Sequence, residues 1–250
     1  MPEQAARPVI AALRERIRHL EGAGRRACAA LPFGLAEIDR RLPEGGLARG
    51  CLHEVAGGGG ATDGAAAALF AAGIAARAGG KVLWCVMRRD LFAPALAQAG
   101  LSPDRVIFVE ACDDKTALAC FEEGLRHGGL GAAVAEIARL PMTASRRLQL
   151  AAERSGTIGM AVRRWRRATD AAEGAQPTAS VTRWRVSVRP SAPLPVPGIG
   201  RPRWLLELVR CRAGEGFALE VEVGDAGRLA LPAAVADRPV QAEIRLRASV

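Results

Sequence analysis

The rhythm of hydrophobic and polar positions changes along this 250-residue chain. Over 4–21, Ile10, Leu13, Ile17 and Leu20 recur at spacings of three and four, with Arg14, Glu15, Arg16 and Arg18 between them. That spacing predicts an amphipathic helix with one narrow apolar stripe. The stripe suits packing on its own domain or docking on a neighbouring subunit, and its four apolar residues are the candidates for self-association. "EGAGRRACA" then reads as a linker.

From 31 to 163 the pattern is different. A short helix is expected over 35–42, a turn over 43–46, and a strand over 52–55 that runs into "GGGG" (57–60). A small-residue helix follows over 62–78, with Leu69, Phe70 and Ile74 as its larger apolar groups. Strands are expected over 81–87, 105–110, 129–138 and 157–163, and helices over 91–99, 115–127 and 142–156. Apolar strands alternating with helices imply a mostly parallel sheet covered on both faces.

After 163 the alternation of helix and strand stops. "RRWRRATDAAEGAQPTAS" is polar and basic without a clear period. "VTRWRVSVR", "RWLLELVRCR" and "FALEVEVGDAGRLALP" read as antiparallel strands added to the sheet edge, and "PSAPLPVPGIGRP" separates the first two. The organisation is thus an N-terminal helix and linker (1–30), an α/β core (31–163), a basic loop with added strands (164–232) and a tail without strong signal (233–250).

Composition narrows the classes. Half of the residues are hydrophobic, enough to bury a sizeable core. No uninterrupted apolar run of about 18 residues is present, so no membrane helix is expected. The N-terminus lacks a secretory-type apolar region, and a cytoplasmic protein is the expectation. The six cysteines form no C-x-x-C pair and do not cluster with the three histidines, so they read as reduced thiols and no metal is expected. Lysine occurs only at Lys81 and Lys115, and tyrosine is absent. GC-rich coding accounts for that, so arginine in place of lysine says nothing about phosphate.

Charge is informative because it is uneven. The net charge is +9, yet 139–212 holds fifteen arginines against Glu153, Asp170, Glu173 and Glu207. Such a region can contact nucleic acid or an acidic partner. Arg163, Arg164, Trp165, Arg166, Arg167, Arg183 and Arg185 combine arginine with tryptophan and are the candidate contacts for single-stranded DNA. The alternative is a solvated charged face with Trp165 and Trp184 half buried against the sheet. In "TRWRVSVR", alternation puts Trp184, Val186 and Val188 on one side and the arginines on the other.

"FGLAEIDRRLPEGGLARGCLHEVAG" resembles the approach to a RecA-type phosphate loop, through Gly34, Ile38, Asp39, Gly45, Gly46, Leu47 and Gly50. "WCVMRRDLFAPALAQAGL", "TRWRV" and "PSAPLPVPGIGRPRW…ELVRCR" are similar to one RecA-like branch, the ImuA family, often labelled SulA-like. The resemblance covers roughly 9–240. It implies a RecA-like P-loop fold and an accessory role in SOS-induced translesion DNA synthesis. The implied partners are an ImuB-type Y-family polymerase homologue and RecA. The competing readings are a divergent nucleotide-binding, DNA-dependent ATPase and a SulA-like inhibitor of cell division.

The phosphate loop decides between adaptor and ATPase. Such a loop should read G-x-x-x-x-G-K-[ST], its lysine neutralising β- and γ-phosphates and its hydroxyl holding Mg²⁺. Here Gly57, Gly58, Gly59, Gly60, Asp63 and Gly64 form the loop, with Asp63 at the lysine position and Gly64 at the hydroxyl position. Arg88 or Arg89 falls near the expected water-activating glutamate, with Asp90 close by, and Glu136 lies near the metal-orienting aspartate. A negative charge at the lysine position repels a triphosphate. The expectation is no catalytic residue, no cofactor and no enzyme, with backbone N–H groups as the only remaining anion donors.

Overall fold

The computed structural model describes residues 30–164, 176–194 and 197–232. The expected N-terminal helix with Ile10, Leu13, Ile17 and Leu20, the positions Trp165, Arg166 and Arg167, and the tail 233–250 lie outside the described residues.

A small antiparallel ribbon, β1 (Ala30–Leu31) with β2 (Leu47–Ala48), frames the short helix α1 (Ala36–Asp39). The apolar runs that follow become parallel strands of one sheet: β3 (Leu52–Gly57), β4 (Lys81–Val86), β5 (Val106–Glu110), β6 (Leu130–Glu136) and β7 (Ile158–Arg163). Their helical connections are α2 (Ala61–Ala78), α3 (Ala93–Gln98), α4 (Asp114–His127) and α5 (Met142–Ser155). Three further long or short strands complete the sheet after β8 (Thr182–Arg189): β9 (Arg203–Cys211), β10 (Phe217–Val223) and β11 (Leu229–Ala230). The nine strands lie in the order β11-β10-β9-β8-β3-β7-β6-β4-β5.

One feature departs from the expected edge. β8 pairs with β3 in parallel, and antiparallel pairing begins only between β8 and β9. Period-two alternation assigns faces to a strand but carries no information on direction. The stretch between β7 and β8 is long enough for the crossover that parallel pairing requires.

Two cores flank the sheet. On one face, α2 is almost all alanine and glycine where it meets the strands, so its backbone seats close to them. Trp184 lies fully buried there, its ring centroid 5.5 Å from Phe33, 5.6 Å from Phe70 and 5.8 Å from Phe217. Such tilted aromatic pairs add roughly 0.5–1.5 kcal/mol each beyond their area burial. On the other face, Phe121, Leu125 and Leu148 of α4 and α5 cover Leu52, Leu83 and Cys85. β3 stands between β8 and β7, so the glycine run leaves the sheet near its middle. That is the C-terminal end of the parallel strands, where open α/β sheets bind their ligands.

Candidate functional site

β3 ends at Gly57 and α2 starts at Ala61, so Gly58, Gly59 and Gly60 make the turn. Packing demands glycine at Gly57, and at Gly58 a side chain would have to push Ser187 aside. A Cβ on Gly57 would lie 2.7 Å from the Gly64 nitrogen, and one on Gly58 would lie 2.1 Å from Ser187 Oγ. Gly57→Ala meets backbone and cannot be accommodated by a rotamer change. It is expected to cost about 1–3 kcal/mol, read as a lower midpoint in urea unfolding.

Two of the loop's donors are turned inward. The Gly58 N–H donates to the Val186 carbonyl at 2.9 Å. Asp63 accepts from the Gly60 N–H through Oδ2 at 3.3 Å and from the Val188 N–H through Oδ1 at 2.8 Å. This is half of a capping box, since Gly60 has no side chain to return the bond. A carboxylate in the first turn also complements the helix dipole. The helix N-terminus that would hold a phosphate therefore holds the protein's own anion, and the loop is stitched to the end of β8.

The facing cation is also internal. Glu136 ends β6 and is 7% exposed. Its Oε1 accepts from Trp84 Nε1 at 3.1 Å and its Oε2 from Arg164 Nη1 at 2.9 Å. The same Arg164 nitrogen donates to Asp90 Oδ1 at 2.7 Å. A Cβ on Gly64 would lie 3.4 Å from Arg164 Cα and Cβ, so this arginine runs directly over the start of α2. Burial pushes the Glu136 carboxyl up, and Arg164 opposes that push. Burial alone would lower Arg164, but its attraction to Glu136 and Asp90 outweighs this and holds it above the ordinary arginine value.

The positions compared with a working phosphate loop therefore resolve as follows. Asp63 points into the loop it replaces. Asp90 and Glu136 come together around Arg164. Arg89 instead pairs with Glu110 at 2.7 Å on the exposed ends of β4 and β5. Burial pushes the Cys85 thiol up to about 12, which disfavours its thiolate.

The DNA candidates separate. Arg163 is 3% exposed and places Nη2 3.1 Å from Glu54 Oε2. Arg183 places Nη2 3.1 Å from Glu54 Oε1 and donates to the Gln176 carbonyl at 2.8 Å. Both arginines point into the fold, which corrects their reading as contacts for a DNA strand. Trp184 is fully buried rather than half buried. Arg164 is committed to Glu136 and Asp90, and only Arg185 among the described candidates stands half exposed, 3.6 Å from Glu207. The residue that organises this region, Glu54, is 1% exposed and also accepts from Thr178 and Ser180. It was not singled out in the sequence. The available signal was a carboxylate inside a strand between Leu52 and Val55, which must find cations or donors.

No protein-family model matches the chain. Protein ImuA of Caulobacter vibrioides, in two strains, is 40% identical over 219 residues, spanning 83% of this chain and 89% of that protein. The chain belongs to the ImuA family. Among solved structures, the RadB recombinase superposes with a TM-score of 0.56 at 18% identity, covering 79% of this chain and 97% of its own. At that identity the likeness speaks for the fold, which is RecA-like. Among the described residues no helix is long and apolar enough to cross a membrane.

Proposed function

We propose that this ImuA-family chain is a non-catalytic, RecA-like adaptor in damage-induced translesion synthesis. Its partners in this reading are an ImuB-type Y-family polymerase homologue and RecA. The carrying observation is the filled phosphate loop: Asp63 occupies the helix N-terminus, and Arg164 occupies the space between Glu136 and Asp90. A triphosphate would have to displace a carboxylate, and Mg²⁺ would have to displace a guanidinium. The first step breaks two backbone hydrogen bonds to Asp63, and the second breaks the ion pairs of Arg164 with Glu136 and Asp90. Family membership supplies the setting, and the RecA-like sheet supplies a scaffold for contacts in place of chemistry.

The test has two arms. Calorimetric titration with Mg·ATP, with and without single-stranded DNA, is expected to show no saturable binding at low micromolar protein. Tagged chain from DNA-damaged cells is expected to retain the polymerase homologue or RecA. Saturable Mg·ATP binding together with empty capture would return the divergent ATPase reading.

A further inference from the structure

Away from the loop, a cavity of about 590 Å³ opens between α4 and α5 on the outer face of the sheet. Its floor holds Glu122, 7% exposed, whose Oε1 pairs with Arg126 and whose Oε2 pairs with Arg147, each at 2.5 Å, with Arg147 Nε donating to Oε1 at 3.3 Å as well. Both guanidinium groups are mostly exposed and keep outward N–H donors. Leu150, 53% exposed, lies between Arg147 and Arg154 on α5, over Ala151. Arg154 has no ion pair among the described residues. Three arginines against one glutamate leave the groove positive around an uncovered aliphatic patch.

We infer that this groove docks an acidic segment of a partner protein, with an aliphatic side chain on Leu150 and flanking carboxylates on Arg126, Arg147 and Arg154. Charge complementarity selects the class. Arginine forks pair with carboxylates in two-point geometry, and an amphipathic segment laid in a groove between helices reads as an apolar anchor with charged flanks. Nucleic acid fits less well. Among the described residues no aromatic side chain lines the groove to stack on a base. The inference stands on this surface and does not depend on how the phosphate loop is read.

The experiment pans phage-displayed twelve-residue peptides against the full chain, then measures enriched sequences as fluorescein-labelled peptides by anisotropy. Enrichment of peptides that place aspartate or glutamate on both sides of leucine, isoleucine or methionine is expected. Leu150→Ser and Arg154→Glu are each expected to weaken such a peptide about tenfold or more, and Lys115→Ala to leave it unchanged. Leu150 and Arg154 are exposed, so both variants should stay folded, with Arg154→Glu melting slightly lower because it puts a negative charge in the last turn of α5. Enriched peptides without acidic residues, affinity indifferent to both substitutions, or no enrichment at all overturns the inference. A labelled oligothymidylate that binds the wild type and weakens in Arg154→Glu, while no peptide does, overturns it in favour of nucleic acid.

Discussion

Glu54→Ala is expected to destabilise the protein by about 3–5 kcal/mol, the largest effect of any single exposed or buried charge change considered. That is a large share of the roughly 5–15 kcal/mol that holds a typical domain folded. The reason lies in what remains. Glu54 sits on the central strand β3, and its two oxygens hold Arg163 from β7 and Arg183 from β8. Removing it leaves two guanidinium groups facing one another in the interior, and the Thr178 and Ser180 hydroxyls, 2.8 Å apart, lose the carboxylate they share. Burial already holds Arg163 below the ordinary arginine value, with Glu54 the main force raising it. Without Glu54 it falls further. Yet an arginine does not shed its proton anywhere near neutrality, so the loss should be flat between pH 5 and pH 9. Urea unfolding across that range measures both the size and the flatness. A loss under about 1 kcal/mol would mean that water reaches the cluster and that the pairs are surface-like.

The middle of the chain was legible because apolar runs of strand length, separated by helical spacings, admit few arrangements. β4, β6 and β7 follow from "KVLWCVM", "GLGAAVAEIA" and "TIGMAVR" with shifts of a residue or two at their ends. The motif that carried the RecA-type resemblance proved structural: Asp39 accepts from the Phe33 and Gly34 N–H groups, Ile38 is fully buried, and a Cβ on Gly46 would strike the Leu31 carbonyl at 2.5 Å. The broken loop was legible too, since Asp63 and Gly64 stand where lysine and hydroxyl belong. What it had become was not. That Asp63 closes onto Val188, 125 positions away, depends on β8 lying beside β3, and alternation does not encode strand direction.

The basic segment misled for a related reason. A run of arginines reads as one charged surface when counted, but consecutive residues of a strand point to opposite faces. Arg163 is the last residue of β7 and turns into the sheet, whereas Arg164, one step on, turns toward the loop. Their partners Glu54 and Glu136 come from β3 and β6, the first separated from Arg163 by four helices and the second from Arg164 by one. No local spacing links them. The useful sequence signal was on the acidic side, where each glutamate interrupts or ends an otherwise buried strand.

Arg164→Ala should show the second-largest effect, about 2–4 kcal/mol at pH 8, and unlike the first it should depend on pH. Asp90 is partly exposed and can turn to water, which limits its share of the loss. Glu136 cannot. Among the described residues it keeps the Trp84 N–H, a weaker counter to the push of burial on its carboxyl than the lost arginine. Its folded value then rises further above that of the unfolded chain. A carboxyl raised in the folded state makes the native protein bind the extra proton, so unfolding releases it and stability falls as pH rises through that window. The cost of Arg164→Ala should therefore be smaller at pH 5 than at pH 8, with the wild type as reference at each pH. Arg164→Lys restores a positive charge but not the forked guanidinium, and should recover only part of the loss. The same variant separates the two closures of the loop. If Arg164→Ala still fails to bind Mg·ATP, the carboxylate of Asp63 alone is enough to shut the helix N-terminus. If it binds, the arginine was the lock and the aspartate only its consequence.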